Sequence, residues 1–312
     1  MSATRIEAGE SVVSVRGLHK RYGSTVAVES VDFDVPRGAV FGLLGPNGAG
    51  KSTTLGILCG WLRASQGSAT MLGRPCHALY ALRGRVASLP QDAGFPPQIA
   101  VGEQLAHFAR LQGFSSSAAR KEAERALDLV DLRDAAAMRG LELSHGMLKR
   151  VGLAQALMGS PEVVILDEPT AGLDPKNARR IKDLIASLAP ERTVLVSSHN
   201  LADIQEICSH GLILDRGRVV ALGDIAALTR RGAEITIEFA AGAELPSAAL
   251  VARFGQDQVE MREGSLRIRF ASEEETAEVI ADALRLLLDA NTPILGVDRG
   301  TSLEKTFLEI TS

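Results

Sequence analysis

Hydrophobic and polar positions follow two periods along the chain, and the order of these periods predicts an α/β fold. Residues 30–35 alternate apolar and polar side chains, as a half-buried strand does. Continuous apolar runs at 163–166 and 193–196 are typical of strands that are buried on both faces. Residues 118–130 and 178–188 instead have the composition of helices. Because strands and helices alternate, we expect a mainly parallel sheet.

The pattern also predicts two domains. Residues 12–230 are expected to form the first, which begins with a set of strands over 12–44 and contains a helical subdomain at about 95–160. The composition changes at 229–232, which we interpret as a linker. Residues 233–312 then predict a small α+β accessory domain of order β-α-β-β-α-β, the order of a ferredoxin-like fold, with a closing helix over 301–310.

Composition describes an ordinary soluble protein. The 312 residues are 46% hydrophobic and 23% charged, and no apolar run approaches the roughly 18 residues that a transmembrane helix needs. The formal net charge of −4 provides no basic surface, so nucleic acid is not expected among the partners. The first ten residues lack the apolar core of a signal peptide, and the three scattered cysteines indicate unpaired thiols in a reducing compartment.

A phosphate-binding pattern, G-x-x-x-x-G-K-[ST], is present at residues 45–52. An apolar run of strand type precedes it at 39–44 and a mostly apolar helical segment follows at 53–62. In this context the loop N–H groups and the positive end of the helix can bind phosphate, whereas a glycine-rich turn without a ligand is the alternative. The residues expected to bind the nucleotide here are Gly45, Pro46, Asn47, Gly48, Ala49, Gly50, Lys51, Ser52 and Thr53.

Within this loop, Lys51 is expected to contact the β- and γ-phosphates, and the Ser52 hydroxyl to bind Mg²⁺. Two carboxylates end the apolar run at 163–166. Asp167 is suited to hold Mg²⁺ through water, and Glu168 to polarise the attacking water. An acidic pair after a strand can be a simple loop start, but a phosphate loop in the same chain favours the catalytic interpretation.

With these elements, the chain resembles the nucleotide-binding subunit of an ATP-binding cassette (ABC) transporter over roughly residues 12–230. The further motifs occur in the order of that family: Tyr22 in Lys20-Arg21-Tyr22-Gly23, Gln91 in Leu89-Pro90-Gln91-Asp92, the signature position Leu143-Ser144-His145-Gly146-Met147, the D-loop Ala171-Gly172-Leu173-Asp174, and Ser197-Ser198-His199. The resemblance implies a P-loop NTPase cassette with a parallel core, an antiparallel β subdomain and a helical subdomain.

The resemblance also implies roles for single residues. Tyr22 would stack on adenine, and Gln91 would bind Mg²⁺ and sense the γ-phosphate. His199 would donate a hydrogen bond to the γ-phosphate and act with Glu168 and Gln91 in catalysis. A packed tyrosine, an ordinary loop glutamine and a structural histidine are the alternatives for Tyr22, Gln91 and His199.

Two motifs would act across a dimer in this family. Ser144 and Gly146 would contact the nucleotide of a second copy from the N-terminal end of a helix. Asp174 would organise the dimer contact beside the site. The neighbouring Lys149 and Arg150 are expected to form a solvated face of the same helix.

The function that the resemblance implies is ATP hydrolysis by a homodimer that closes around two ATP–Mg²⁺ and powers a separate integral membrane permease. The chain would lie at the cytoplasmic face of the cell membrane, held there by the permease and without a transmembrane segment of its own. In that family a permease helix sits beside the glutamine loop, and residues 91–99, with Phe95, Pro96 and Pro97, are the best candidate in this chain for the coupling surface.

Export is favoured over import because Met147 and the segment 301–310 resemble the branch that pairs with exporter permeases. His145 and Met147 depart from the common Leu-Ser-Gly-Gly-Gln signature. A soluble ABC ATPase without a transporter, or an ATP-gated regulator without hydrolysis, is the alternative. The presence of Glu168 argues against the regulator, and the short interval between Lys51 and Ser144 argues against a coiled-coil repair ATPase.

Overall fold

The computed structural model describes residues 11–229, 233–240, 242–270 and 275–299, and contacts between residues divide the chain into two compact units after Ile225. Within these ranges, none of the helices combines the length and the apolar character needed to cross a membrane. The predicted closing helix at 301–310 and most of the predicted linker at 229–232 lie outside the described residues.

The first unit contains antiparallel and parallel strands in two sheets. Its strands are β1 (Ser11–Tyr22), β2 (Thr25–Pro36), β3 (Val40–Leu44), β4 (Gln66–Met71), β5 (Arg74–Pro75), β6 (Val86–Leu89), β7 (Val163–Asp167), β8 (Thr193–Ser198), β9 (His210–Asp215) and β10 (Arg218–Asp224). One sheet has the order β2-β1-β4-β5 and is antiparallel, and the other has the order β10-β9-β3-β8-β7-β6.

The second of these sheets is parallel from β9 to β6, and only its β10–β9 pair is antiparallel. Its central strands β3 and β8 are buried along their whole length, as their continuous apolar sequences predict. The alternating strand β2 buries Val31, Phe33 and Val35 and exposes Asp32. Phe33 stacks on Phe41 of β3 with ring centroids 5.6 Å apart. The predicted α/β architecture with an antiparallel part is therefore confirmed.

Most helices of this unit alternate with its strands. A separate group of helices lies between β6 and β7. The helices are α1 (Lys51–Leu58), α2 (Val101–Leu111), α3 (Ser116–Leu129), α4 (His145–Ala156), α5 (Pro175–Leu188) and α6 (Leu201–Ile207), with α7 (Ile225–Thr229) at the boundary of the units and short 3₁₀ helices at Cys76–Leu82, Arg133–Ala135 and Gly140–Glu142. Helix α1 ends earlier than the sequence predicts, because Gly60 adopts φ +73° against the Cys76 carbonyl.

The group α2–α4 contains one residue that contradicts the sequence-based expectation. Arg150 is buried, at 8% exposure, and its Nη1 donates to the Val130 carbonyl at 2.9 Å and to the Asp131 carbonyl at 3.4 Å. The prediction of a solvated face is wrong for this residue. The last carbonyls of a helix have no partner within the helix, and Arg150 of α4 supplies one to the end of α3.

In its described residues from Ala233 onward, the second unit is a four-stranded antiparallel sheet with two helices. Its elements are β11 (Ala233–Phe239), α8 (Ser247–Phe254), β12 (Val259–Arg262), β13 (Ser265–Phe270), α9 (Thr276–Asp289) and β14 (Ile294–Arg299). The strand order is β12-β13-β11-β14, and the predicted β-α-β-β-α-β order with ferredoxin-like pairing is confirmed. Its own buried cluster joins both helices to the sheet, through residues such as Ile237, Leu250 and Leu287.

Candidate nucleotide-binding site

The loop between β3 and α1 has the form that its glycines and lysine predict. Gly50 precedes the first residue of α1 with φ +102°, and a Cβ there would lie 2.5 Å from the Ala27 carbonyl. Both the conformation and the close approach therefore require glycine. This turn leaves the N-terminal N–H groups of α1 directed at the loop, which is the arrangement that binds phosphate.

Lys51 is held inside this loop. The residue is 6% exposed, and its Nζ donates to the carbonyl oxygens of Gly45 at 2.7 Å and Pro46 at 3.3 Å. The same Nζ lies 3.4 Å from Glu168 Oε1. A buried ammonium needs partners of this kind, and the loop carbonyls and a carboxylate provide them.

A cavity of about 260 Å³ brings several predicted residues together. It is lined by Ala27, Pro46, Asn47, Gly48, Ala49, Gly50, Lys51, Ser52, Thr53, Gln91 and Glu168. Four segments that are far apart in sequence thus meet at one place: Ala27 of β2, the phosphate loop, Gln91 two residues beyond β6, and Glu168 directly after β7. Parallel strands end at a common edge of the sheet, which explains the meeting of the last three.

The acidic pair occupies this edge. Asp167 is the last residue of β7, and Glu168 follows it with φ +48°. The left-handed conformation costs a non-glycine residue about 1–3 kcal/mol, and such residues cluster at functional sites. Glu168 is 5% exposed, and its Oε2 accepts a hydrogen bond from His199 Nδ1 at 2.9 Å. The buried carboxylate is thus held by Lys51 on one oxygen and by His199 on the other.

Ser197 is a residue that the sequence analysis missed. It pairs with Asp167 between β7 and β8, and its hydroxyl donates to Asp167 Oδ1. The same hydroxyl accepts from the backbone N–H of Glu168 at 2.9 Å. One hydroxyl therefore fixes both members of the acidic pair. A polar residue at the end of an otherwise apolar buried strand is the sequence signal that identifies it.

The residues predicted to bind Mg²⁺ offer suitable donors. Ser52 provides a hydroxyl, Gln91 an amide oxygen and Asp167 a carboxylate, and Mg²⁺ prefers oxygen ligands shared between a carboxylate and phosphates. Ser52 and Gln91 line the cavity, and Asp167 ends the strand beside it. The donor set therefore fits the ion.

The structure does not bring the signature residues and Asp174 to this cavity. Ser144 precedes the first residue of α4, and its Oγ accepts from Met147 N at 3.3 Å. Asp174 has the same position before α5. A second cavity of about 430 Å³ lies beside the start of α4. It is lined by Leu89, Gln91, Asp92, Ala93, His145, Leu148, Lys149, Gly152, Ala171 and Gly172. The start of α4 thus adjoins the D-loop and the glutamine loop of its own chain.

Tyr22 lies at the end of β1 and is 46% exposed. The Nζ of Lys20 is 4.8 Å from the centre of its ring. The ring is not among the groups that line the phosphate cavity, so its contact with adenine stays a prediction.

The family model described as ABC transporter matches residues 28–171. The Nod factor export ATP-binding protein I of Cupriavidus pinatubonensis is 37% identical over 220 residues, which cover 70% of this chain and 68% of that protein. The protein of the same name from Burkholderia lata is 32% identical over 308 residues, which cover 96% of each chain.

Among solved structures, cbiO1 from Clostridium perfringens, described as part of the ABC transporter complex cbiONQ, is similar with a TM-score of 0.64. It is 26% identical, and the match covers 71% of this chain and 91% of that chain. The phosphate loop, the acidic pair and the parallel core thus occur in a chain whose sequence and fold both match one family. This chain belongs to the ATP-binding subunits of ABC transporters and is an ATPase of that family.

Proposed function

We propose that this subunit forms a dimer of itself that closes around two ATP–Mg²⁺ and powers a separate membrane permease working as an exporter. The observation that carries the proposal is the separation of the predicted site residues. The phosphate loop, Gln91 and Glu168 share one cavity, whereas Ser144 and Asp174 begin two helices outside its lining. A second copy, turned to face the first, supplies those helix ends to the nucleotide.

In this dimer Glu168 acts as the general base. Its carboxylate is buried, and His199 Nδ1 fixes it by one oxygen at 2.9 Å. Lys51, 3.4 Å from the other oxygen, moves its contact to the β- and γ-phosphates when ATP binds. That oxygen then orients water for attack on the γ-phosphorus and accepts its proton, while the bond to the ADP oxygen breaks.

The remaining groups stabilise charge. The loop N–H groups and the N-terminal end of α1 hold the phosphates, and the partner copy's Ser144 and Gly146 act on the γ-phosphate. Ser52, Gln91 and Asp167 would hold Mg²⁺, which when bound would neutralise the charge that develops on the phosphate oxygens. Tyr22 stacks on the adenine at the edge of the site.

The export direction is supported by similarity along the whole chain. The Burkholderia lata relative, which is named an export ATP-binding protein, matches over 96% of both chains and therefore includes the second unit. We infer from this that the second unit belongs to the same kind of assembly. The cytoplasmic face of the membrane, where the permease would hold this chain, is the proposed location.

The dimer is tested with the Glu168→Gln variant, which should bind ATP but not hydrolyse it. Light scattering after gel filtration should show twice the monomer mass with ATP and Mg²⁺, and monomer mass with ATP and EDTA. The control is Glu168→Gln/Lys51→Ala, which should stay monomeric. A single monomer peak at saturating ATP–Mg²⁺ would refute the dimer.

The permease and the direction are tested in the source cell. A tagged Glu168→Gln chain with ATP should recover a polytopic membrane protein in stoichiometric amount from detergent-solubilised membranes. Mass spectrometry of the medium should show a compound that the parent releases and the variant retains in the cell. Recovery of a soluble complex without a membrane protein would instead support the soluble-ATPase alternative, and loss of an uptake activity would contradict export.

A further inference from the structure

Asn177, in the first turn of α5, makes an unusual set of contacts for a helix surface residue. Its backbone N–H donates to Asp174 Oδ1 at 3.0 Å, and its side-chain Nδ2 donates to Asp174 Oδ2 at 2.6 Å. Both oxygens of the capping carboxylate are therefore bound by one residue. The hydrogen bond from the Asn177 backbone, followed in size of effect by the one from its side chain, holds the pKa of Asp174 below its ordinary value. The D-loop is thereby fixed to the start of α5.

The same side chain also contacts the signature helix. A Cβ added to Gly146 would lie 2.9 Å from Asn177 Nδ2 and 3.0 Å from its Cγ. Gly146 lies within the regular helix α4 and is buried. A methyl group at this position would therefore have to displace the Asn177 amide, whereas the helical backbone of Gly146 would itself accept a side chain.

A second contact joins the signature helix α4 to the D-loop. The Nε2 atom of His145 would lie 3.5 Å from a Cβ placed on Gly172, so the imidazole covers the backbone of the D-loop. Lys149, one turn further along the same face of α4, donates from Nζ to the Gln91 carbonyl at 2.7 Å. The start of α4 therefore contacts both the D-loop and the glutamine loop.

We propose that Asn177 is a positioning residue that fixes the signature helix to the D-loop, so that both reach the partner copy's nucleotide as one unit. The proposal rests on the dimer described under Proposed function. In that dimer Ser144, Gly146 and Asp174 of one chain face the same nucleotide of the other copy. Asn177 lies outside the lining of the phosphate cavity and acts on the site through Gly146 and Asp174.

The first experiment measures ATP-driven self-association of the full chain in the Glu168→Gln background. Asn177→Ala should raise the ATP concentration for half-maximal dimer formation by about tenfold, within the range of pairwise couplings between residues in contact. ATP affinity, measured with a fluorescent ATP analogue at protein concentrations too low for dimer, should change less than about twofold. The control is Lys176→Ala, an exposed neighbour on the same turn, which should leave both values unchanged.

A double-mutant cycle provides the decisive readout. Gly146→Ala should weaken dimer formation by about tenfold or more in the Glu168→Gln background, because its methyl meets the Asn177 amide. In the Asn177→Ala background the amide is gone, and the same change should cost about threefold at most. Thermal unfolding of each variant shows that the protein is folded.

The outcomes separate the two proposals. If Glu168→Gln alone never dimerises with ATP, the dimer itself is refuted and the role of Asn177 with it. If Glu168→Gln dimerises but Asn177→Ala matches Lys176→Ala, or the cycle is additive, the positioning role is overturned and the dimer stands. A loss of ATP affinity in the monomer equal to the loss in dimer formation also overturns it, since a general structural defect would then explain both.

Discussion

At the scale of single residues, the buried carboxylate of Glu168 is the centre of the site. It holds a left-handed backbone conformation and contacts Lys51 and His199 with its two oxygens. Ser197 fixes its backbone N–H from the neighbouring strand. These contacts select one orientation of a group that would otherwise rotate freely, which is the condition for positioning water.

Glu168→Gln keeps the shape of this group and removes its basicity. We expect the ATPase rate to fall by about 100-fold or more, the range for loss of a general base, while the Kd for ATP stays within about threefold. Phosphate-release assays and ATP titrations measure the two quantities. Glu162→Gln is a matched control, because Glu162 is a surface carboxylate paired with Arg37 and Arg85; an equal loss in both variants would contradict the assignment.

The cysteines give a second prediction at this scale. Burial raises the pKa of Cys76 and of Cys208 to about 12, and both thiols are free. Since the thiolate is the reactive form, we expect iodoacetamide at pH 8 to label these two residues only after unfolding. Mass spectrometry of folded and urea-treated protein measures this.

The same shift has a consequence for stability. A neutral buried thiol favours the folded state below the ordinary thiol pKa, and this contribution is lost as the pH rises above that value, because the unfolded chain ionises first. In the labelling experiment, rapid reaction of Cys76 and Cys208 with iodoacetamide in the folded protein at pH 8 would contradict the prediction that both thiols are buried.

At the scale of elements, the contacts between α3 and α4 decide how the helical group is held. Arg150 of α4 donates to the carbonyls of Val130 and Asp131 at the end of α3. Arg125 of α3 donates in return to the Leu157 carbonyl at 3.1 Å, where α4 ends. Each helix therefore receives at its C-terminal end a cation from the other, where the helix dipole favours positive charge.

Arg150→Met keeps most of the apolar length of the side chain and removes the donors. We expect the free energy of unfolding to fall by about 1–3 kcal/mol, because the buried Val130 carbonyl loses its partner. Urea denaturation followed by circular dichroism measures the change. Lys121→Ala, at an exposed position of α3, should change it by less than about 0.5 kcal/mol; an equally small effect of Arg150→Met would contradict the role of these bonds.

At the scale of the whole molecule, the segment after Gln91 is the part that we expect to meet the permease. Gln104 Nε2 donates to the carbonyls of Pro96 at 2.9 Å and Ile99 at 2.7 Å, so α2 holds this segment in place. Phe95 is half-buried, and its ring edge lies near Gly152 of α4. The segment is therefore connected both to the phosphate cavity, through Gln91, and to the signature helix.

Phe95→Glu places a charge on this surface, away from the phosphate loop. We expect less permease in the tagged pull-down and slower release of the exported compound, with the Kd for ATP unchanged. The control is Leu129→Glu, a partly exposed apolar residue at the end of α3. Equal recovery of the permease with both variants would contradict this location of the coupling surface.

What the sequence determined by itself is the set of features that local rules decide. The phosphate loop requires glycines and a lysine at fixed spacing, and strands buried on both faces require continuous apolar runs, so both are visible without any long-range information. The order β-α-β-β-α-β of the second unit was predictable for the same reason, since each element has its own period.

Contacts between segments that are far apart in the chain depend on the tertiary fold. Ser197 meets Asp167 across two parallel strands, Asn177 meets Gly146 between two helices, and Arg150 reaches the end of α3. The end of an apolar strand marks Ser197 as a candidate but does not name its partner, and no local pattern distinguishes Asn177 or Arg150 from an ordinary asparagine or surface arginine. Their partners are selected by the register of the sheet and the packing of the helices, which the folded chain as a whole determines.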